Sequence, residues 1–330
     1  MEQIILKKRP IGLPKQTDFE HKEIKLKGLR EGELHLRLAY LSVDPYLRGR
    51  MNDVKSYVEP FKLGEPIAST GVLEVIRSKS QDFAVGEKVI ATVPWQKEVI
   101  LPDAQVRKID VSLASAPAYL GVIGLTGLTA YFGLLDIGKP QPGETVVVSA
   151  GAGAVGSAAG QIAQIKGARV VGIAGSDEKV RYMVQELGFD VGVNYRADNY
   201  PEILQKACPD GIDVYFENVG GKVSDAVWPL LNRYARIPVC GSISAYNKTA
   251  EEDNGPRIQS YLIKTSAEMK GFTVGNYADA FPEARQQLIK WLEEGKLTHK
   301  ETIVHGFDQI IPAFLSLFEG KNIGKIVIEI

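Results

Sequence analysis

The sequence predicts an α/β protein in which a doubly wound parallel sheet of six strands is inserted into a β-rich domain. Three observations support this fold class. Before Ala114, short runs alternate apolar and polar residues, which is typical of half-buried strands. From Thr145 to Val274, short apolar strands alternate with segments that carry helix signals. A complete G-x-G-x-x-G turn, Gly151–Gly156, directly follows the first of these strands.

The N-terminal part contains predicted strands and no long helix. The clearest strands cover 33–39, 71–76 and 88–93, and the last two are bounded by Gly and Pro. The pattern changes near Gly138. The six strands predicted for the parallel sheet are 145–149, 169–173, 191–194, 212–216, 235–239 and 271–274.

Helix signals separate these strands. Ser176 is the predicted N-cap of a helix that ends at Gly188, and Asn199 with Pro201 begins the next helix. The final segment is predicted to form a helix and then a strand that rejoins the N-terminal domain. The predicted elements are a helix over 308–319 and a strand over 325–328, and the predicted domain parts are 1–122, 123–295 and 296–330.

Composition excludes several classes of function. The formal net charge of −1 gives no global field that favours nucleic acid or anionic membrane. No run reaches the roughly 18 apolar residues that a membrane helix needs, and the first 30 residues lack a signal-peptide core. Cys208 and Cys240 are the only cysteines, which indicates a reducing compartment. We therefore expect a cytoplasmic protein without nucleic-acid or membrane partners.

The glycine turn predicts a dinucleotide site. Gly151 is expected to permit the tight turn, Gly153 to let a pyrophosphate approach the backbone, and Gly156 to let the helix pack closely on the strand. A glycine-rich turn without a ligand is the alternative. The strand before the turn and the helix from Ala154 to Lys166 provide the context that the dinucleotide motif requires.

The second strand favours NADPH over NADH. NAD-binding sites usually carry a carboxylate at its tip for the ribose 2′-hydroxyl. Here the strand ends at Gly175 and Ser176, and Asp177 and Glu178 fall within the start of the next helix. Lys179 follows on the first turn, where a cation can meet a 2′-phosphate. A solvated helix lysine is the alternative for Lys179.

The residues also bear on metal and catalysis. A catalytic zinc needs about three Cys, His or carboxylate ligands, and a structural one commonly four Cys. Two cysteines and four dispersed histidines do not provide these sets, so we expect a zinc-independent site. Tyr246 follows the fifth strand, at the strand end where ligands lie, and is a candidate donor to a substrate carbonyl. A loop tyrosine that packs at the domain interface is the alternative.

Several motifs resemble those of one family in order along the chain. The matching segments are Leu41–Met51, Gly127–Gly133, Gly172–Lys179, Glu217–Gly221 and Asn322–Lys325. They resemble the zinc-independent medium-chain dehydrogenase/reductases that include prostaglandin reductases (leukotriene B4 12-hydroxydehydrogenases) and bacterial curcumin reductases. The resemblance covers essentially the whole chain.

This resemblance implies a GroES-like domain with an inserted Rossmann domain, an NADPH cofactor and a homodimer. It implies that Lys179 and Tyr195 meet the 2′-phosphate, that Tyr246 lies at the substrate carbonyl, and that Tyr57 and Trp95 border the substrate pocket. The remaining implied cofactor contacts are Gly151, Gly153, Ala154, Val155, Gly156, Gly175, Ser176, Asn218, Cys240, Gly241, Ser242, Ile243, Tyr246, Phe272, Thr273, Val274 and Asn322. Unlike the eukaryotic members, this chain is acidic and poor in proline over Thr249–Gly255, which favours general enone reduction over prostaglandin specificity.

The expected reaction is NADPH-dependent reduction of the carbon–carbon double bond of an α,β-unsaturated aldehyde or ketone, as in 2-alkenal, enone, curcumin or prostaglandin reductases. Hydride transfer to the β-carbon needs a donor for the carbonyl oxygen and a proton source, but no Lewis acid. An NADPH:quinone reductase and a non-catalytic NADPH-binding sensor are the alternatives.

Overall fold

The computed structural model describes residues 1–249 and 251–330. These residues form two compact units, one comprising 1–120 with 301–330 and the other comprising 121–300. Each unit has a hydrophobic core of its own. The sequence-based boundaries at 122/123 and 295/296 stay predictions of where the functional domains divide.

The described residues contain fifteen strands. In chain order they are β1 (Glu2–Leu6), β2 (Phe19–Glu23), β3 (Glu33–Ser42), β4 (Ala68–Ser78), β5 (Lys88–Pro94), β6 (Glu98–Pro102), β7 (Arg107–Lys108), β8 (Thr145–Ser149), β9 (Arg169–Ala174), β10 (Val191–Asn194), β11 (Ile212–Phe216), β12 (Leu231–Val239), β13 (Glu268–Gly271), β14 (Glu301–His305) and β15 (Lys325–Glu329).

The described residues contain nine α-helices, and the two longest lie in the second unit. They are α1 (Leu47–Arg50), α2 (Leu125–Phe132), α3 (Ala154–Ile165), α4 (Asp177–Arg181), α5 (Tyr200–Ala207), α6 (Gly221–Asp225), α7 (Gln259–Thr265), α8 (Phe281–Glu293) and α9 (Ile310–Ser316). Two π-helical segments continue α2 and α4, and short 3-10 turns lie elsewhere. Among the described residues, every helix is too short or too polar to cross a bilayer.

The second unit contains the predicted parallel sheet. Its six strands lie in the order β10-β9-β8-β11-β12-β13, and every neighbouring pair is parallel. All five residues of β8 are buried, as expected for a central strand covered on both faces. The strand order reverses between β8 and β11, which is where doubly wound sheets open a crevice for ligands. The prediction of a six-stranded doubly wound sheet is therefore confirmed.

Two details of this sheet differ from the sequence-based prediction. The sixth strand was predicted at 271–274, but β13 pairs residues Glu268–Gly271 with β12. The chain leaves the sheet after Gly271, and Thr273 is the N-cap of a 3-10 helix. All four residues of β13 are exposed and three are polar or glycine, so the edge strand lacks the apolar pattern that reveals buried strands. The fifth strand also begins earlier, at Leu231.

The first unit is built around a seven-stranded sheet. Its main path is β14-β15-β3-β4-β5-β7, and β6 also pairs with β3. The C-terminal strand β15 pairs antiparallel with β3, with Val327 opposite Ser42, so it rejoins the N-terminal strands as expected. The predicted helix over 308–319 is shorter in the structure, where a 3-10 turn leads into α9.

Candidate active site

The glycine turn connects β8 to α3. Its left-handed residue is Ala150, with φ of 51°, whereas Gly151 lies in the turn but outside the left-handed region. Gly151 instead permits close packing, because a Cβ there would lie 2.7 Å from Met183 Sδ. Gly156 has the predicted packing role, since its Cβ would lie 2.3 Å from the Ala150 carbonyl oxygen. Gly153 is less restricted, with the nearest atom 3.1 Å from a built Cβ.

The N-terminus of α3 is open for an anion. Gly153 is the N-cap and provides no side-chain cap. The first helical bond runs from the Ser157 N–H to the Gly153 carbonyl at 2.9 Å, so the N–H groups of Ala154 and Val155 precede it. Such N–H groups, aligned with the helix dipole, attract phosphate. The arrangement fits the pyrophosphate of a dinucleotide.

The tip of β9 combines a cap, a tyrosine and a lysine. The Ser176 Oγ accepts a hydrogen bond from the Lys179 N–H at 3.3 Å, which confirms Ser176 as the N-cap of α4. The Tyr195 ring covers Gly175, where a Cβ would lie 3.0 Å from the phenol hydroxyl. These residues therefore surround the end of the second strand, where a ribose 2′ substituent lies in Rossmann domains.

Lys179 has a neighbour that the sequence did not single out. Burial lowers the pKa of the Lys179 ammonium, and the positive charge of Arg196 lowers it further, while Glu178 opposes the shift. The Arg196 guanidinium carbon lies 5.9 Å from the Tyr195 ring centroid. Two like charges held close together favour an anion between them. The proximity depends on the pairing of β9 with β10, which the sequence alone does not give.

Asp177 does not offer its carboxylate freely to a ribose. Its Oδ1 accepts a hydrogen bond from Asn194 Nδ2 at 2.8 Å. The Asn194 Oδ1 in turn accepts from the Arg196 N–H at 3.0 Å. This chain of bonds fixes the start of the loop after β10 and places Arg196 beside the tip of β9.

The loop from Cys240 to Tyr246 is attached to the segment that follows β11. Four backbone hydrogen bonds connect them. They run from Cys240 N to Glu217 O at 2.9 Å, Gly241 N to Glu217 O at 3.1 Å, Ile243 N to Asn218 O at 3.3 Å, and Ser244 N to Val219 O at 2.9 Å. Ser242 lies exposed in the same loop. The carboxyl ends of β11 and β12 therefore hold this loop as one piece.

Tyr246 is half-buried at the same edge of the sheet. A Cβ built on Gly241 would lie 3.0 Å from the Tyr246 hydroxyl and 3.4 Å from the Asn218 carbonyl oxygen. The hydroxyl thus lies next to Gly241, at the start of the loop that follows β12. Asn218 itself donates from its backbone N–H to Ser149 Oγ at 2.8 Å and from Nδ2 to the Ser149 carbonyl at 2.7 Å.

Two further predicted cofactor residues have mainly structural side chains. Burial and the charge of Glu217 raise the pKa of the Cys240 thiol to about 12, so it is not a reactive thiolate. The Phe272 ring packs on Gly133, where a Cβ would lie 2.4 Å from it. Thr273 Oγ1 donates to Asn276 Oδ1 at 3.0 Å, and Val274 begins the 3-10 helix. The Phe272 and Thr273 side chains thus have partners within the protein.

Three predicted site residues belong to the first unit. Tyr57 is 69% exposed and Trp95 is 0% exposed. The Trp95 indole stacks on Phe19 at 6.4 Å and donates to Ser69 Oγ at 2.9 Å. Its burial disfavours the predicted role at the substrate pocket. Asn322 Nδ2 donates to the Gly324 carbonyl at 2.9 Å and shapes its own turn.

A buried ion pair connects two of the motifs in the first unit. Lys325 Nζ lies 2.6 Å from Asp44 Oδ1 and donates to the Val43 carbonyl at 2.8 Å. The pair fixes the segment that carries Tyr46, whose pKa is raised by burial and by Asp44. The two motifs are more than 270 residues apart in the sequence and meet only because β15 pairs with β3.

The acidic stretch Thr249–Gly255 includes Ala250, which lies outside the described residues. Of the others, Glu252 accepts from the Thr249 N–H at 2.8 Å, and Lys248 lies 3.6 Å from Asp253. Burial and Asp253 raise the pKa of Asp225 on α6. Asp253 of this stretch therefore lies close enough to Asp225, at the end of α6, for the two carboxylates to repel each other.

Potential metal ligands are sparse in the described part of the chain. Its single group of three His, Cys, Asp or Glu side chains with ligand atoms within 4.8 Å is Glu2, His21 and Asp308, at the surface of the first unit. Lys97 lies 3.7 Å from Glu2 and already supplies a positive charge there. Cys208 and Cys240 are both free thiols outside this group.

Two family profiles match the chain. One is described as the N-terminal domain of oxidoreductase and matches residues 2–109. The other is described as zinc-binding dehydrogenase and matches residues 154–294. The second match covers α3 and the segments that surround the candidate cofactor site.

Relatives with assigned names match over nearly the full length. A putative NADP-dependent oxidoreductase, YfmJ, from Bacillus subtilis (strain 168) is 56% identical, covering 100% of this chain and 97% of its own. The NADPH-dependent curcumin reductase of Escherichia coli (strain K12) is 42% identical over 99% of this chain and 96% of its own. An NADP⁺-dependent 2-alkenal reductase of Nicotiana tabacum is 39% identical over 100% and 97%.

A solved structure is similar over the whole fold. CurA from Vibrio vulnificus in complex with NADPH superposes with a TM-score of 0.94 at 44% identity. The match covers 100% of this chain and 99% of CurA.

Proposed function

The chain belongs to the medium-chain dehydrogenase/reductase family that includes NADPH-dependent curcumin reductase and prostaglandin reductase 1, and from this membership we propose that it reduces the C=C bond of α,β-unsaturated aldehydes and ketones with NADPH. The observation that carries the proposal is the Tyr246 hydroxyl next to the Gly241 backbone, at the carboxyl end of the parallel sheet. A hydroxyl at this edge can donate to a carbonyl oxygen that gains negative charge.

The residues of the second unit fit NADPH. The N–H groups at the start of α3 would hold the pyrophosphate. Lys179, Arg196, Tyr195 and Ser176 would hold the 2′-phosphate, because they offer cations and hydroxyls where an NAD site carries a carboxylate. Asn218 and the loop from Cys240 to Tyr246 would hold the nicotinamide half. When bound, NADPH supplies a hydride from C4 of its nicotinamide to the β-carbon of the substrate.

The protein's part in the reaction is to orient and to stabilise charge. The Tyr246 hydroxyl donates a hydrogen bond to the substrate carbonyl oxygen, and this bond strengthens as the oxygen becomes enolate-like. A donor of this kind typically contributes about 2.7–4 kcal/mol to lowering the barrier. The α-carbon then takes its proton from solvent or from a nearby tyrosine.

The test is a panel of acceptors for NADPH oxidation by the purified protein. Small enals, enones and quinones are compared at equal concentration, with product analysis to show which bond is reduced. We expect saturated aldehydes and ketones from the enals and enones. Faster turnover of quinones would favour a quinone reductase, and NADPH binding without turnover of any acceptor would favour a sensor.

We also propose that the protein is zinc-independent and cytoplasmic. Within the residues that the structure describes, the lack of a ligand set near the parallel sheet supports the first statement, and the two free cysteines support the second. Metal analysis of active, dialysed protein is the measurement. One zinc per chain, with activity lost on chelation, would contradict the proposal.

A homodimer is the proposed assembly, with contact along β13. This strand ends the sheet, and all four of its residues are exposed, including Met269. Exposed edge strands readily pair with another strand. Light scattering on the eluting protein should give twice the chain mass, and Met269→Lys should shift the population to monomer. Ile11→Lys, at a 94% exposed position of the first unit, is the matched control.

A further inference from the structure

Glu217 is a buried carboxylate whose partners are all neutral. It follows β11, at the point where the strand order reverses, and is 3% exposed. Its Oε1 accepts from Ser149 Oγ at 3.1 Å, Tyr215 Oη at 3.0 Å, the Val219 N–H at 2.7 Å and the Gly220 N–H at 3.0 Å, and its Oε2 accepts from Ser224 Oγ.

These donors come from separate parts of the fold. Ser149 ends β8 and immediately precedes the glycine turn, while Ser224 lies on α6. Burying a carboxylate is costly unless hydrogen bonds replace its water, and charge-assisted bonds are the strong ones. The Glu217 carboxylate therefore fixes the distances between the end of β8, the turn after β11 and α6, because moving any of them would leave the buried carboxylate with fewer hydrogen-bond donors.

Two glycines make the arrangement possible. Gly220 and Gly221 have φ of 75° and 54°, which places the turn in the left-handed region. The turn bends the Val219 and Gly220 N–H groups back to the carboxylate. Cβ atoms at the two glycines would lie 3.2 Å and 3.0 Å from the Ser244 Oγ. The Gly220–Gly221 turn, which binds the Glu217 carboxylate, is thus closely packed against the loop from Cys240 to Tyr246.

The same segment carries the loop with Tyr246. The backbone carbonyls of Glu217, Asn218 and Val219 accept the hydrogen bonds that hold this loop. Asn218 also bonds to Ser149 through both its backbone and its side chain. The Glu217 carboxylate is therefore connected to the glycine turn through Ser149, and to the Tyr246 loop through the backbone that follows β11.

We infer that Glu217 is a positioning residue that sets the distance between the glycine turn and the nicotinamide side of the site. The inference rests on the proposed NADPH-dependent reduction. Glu217 orients Asn218 and the Tyr246 loop without touching the cofactor. The adenine side is formed by Lys179 and by the residues that follow β9 and β10, and it does not depend on Glu217.

The experiment compares Glu217→Gln with the wild type in the full-length protein. The amide keeps the shape and one acceptor oxygen but removes the charge. Binding of NADPH and of 2′,5′-ADP, which lacks the nicotinamide half, is measured by calorimetry. We expect NADPH to weaken by about tenfold or more, as for loss of one charge-assisted bond, with 2′,5′-ADP within about twofold. Turnover should fall, with a larger isotope effect from 4-deuterated NADPH.

Tyr200→Phe is the matched control. It removes a buried hydrogen bond of 2.8 Å to the Val223 carbonyl in the same core but outside the carboxylate's partners. It should lower the melting temperature and leave the ratio of the two binding constants unchanged. If Glu217→Gln does not fold, Ser149→Ala removes the bridging hydroxyl and should show the same selective loss.

Equal weakening of NADPH and 2′,5′-ADP, or no change in either, would overturn the inference. The binding ratio does not require turnover. A wild type that binds NADPH but reduces no enal or enone would therefore refute the proposed function while leaving this measurement readable.

Discussion

Removing the two cations beside the tip of β9 should reduce the preference for NADPH over NADH. The perturbations are Lys179→Ala, Arg196→Ala and the double variant. The two cations lie close enough for Arg196 to lower the pKa of Lys179. A 2′-phosphate relieves this repulsion and forms charge-assisted hydrogen bonds, whereas NADH has no group to do so. The effect should therefore appear with NADPH alone.

The expected magnitudes differ because the two side chains differ in exposure. Lys179 is half-buried, so its bond to a phosphate should contribute about 1.5–3 kcal/mol, or about 10- to 150-fold in affinity. Arg196 is exposed and screened by solvent, so it should contribute at most about 1 kcal/mol, or about fivefold. Since both residues face one phosphate, the two losses should not be additive in the double variant.

Fluorescence titration gives the Kd for each cofactor with each variant. Lys179→Ala should weaken NADPH strongly and NADH by less than about twofold, within the scatter of surface substitutions. Tyr234→Ala serves as the control, because Tyr234 is exposed and lies on β12, three strands away from β9 in the sheet. Parallel losses for NADPH and NADH would refute the 2′-phosphate assignment, because a general structural effect does not distinguish the two cofactors.

Three other outcomes follow from the same geometry. Tyr246→Phe should lower kcat for an enal by about 100- to 1,000-fold and leave the NADPH Kd near normal; unchanged kcat in a steady-state assay would remove Tyr246 from the mechanism. Gly156→Ala should destabilise the fold by about 1–3 kcal/mol in thermal melts, because the new Cβ falls 2.3 Å from the Ala150 carbonyl oxygen. Because the pKa of Lys179 is lowered, NADPH affinity should fall as the pH rises through that pKa, at a lower pH than for an ordinary lysine. Lys179→Arg should abolish this loss of affinity at alkaline pH. A similar loss of NADH affinity would contradict the prediction.

The sequence was sufficient for the parallel sheet because its buried strands are short apolar runs. β8 is buried at all five residues and was predicted with its observed bounds. The edge strand β13 was placed three residues too late, because its exposed side chains carry no apolar pattern. Pattern analysis detects burial, and an edge strand is held mainly by backbone hydrogen bonds that any sequence can form.

The candidate site was predictable where one segment carries the whole signal. The glycine turn is such a segment, although its left-handed residue is Ala150 rather than a glycine. Arg196 and Glu217 were missed because their roles depend on neighbours brought together by strand order. Trp95 is fully buried, and its place beside the substrate pocket stays a prediction that rests on the motif match.

Charge at the carboxyl edge of the parallel sheet shows how the fold accommodates an anionic cofactor. Two of the carboxylates near this edge, Asp177 and Glu217, are engaged by the protein itself. Asn194 holds Asp177, and neutral donors surround Glu217. With these carboxylates engaged, Lys179 and Arg196 supply positive charge at one side of the site, and the Tyr246 hydroxyl lies at the other as a neutral donor. If the proposed site is right, we expect strong phosphate binding at the adenine side and stabilisation of a transient negative charge on a carbonyl oxygen at the other.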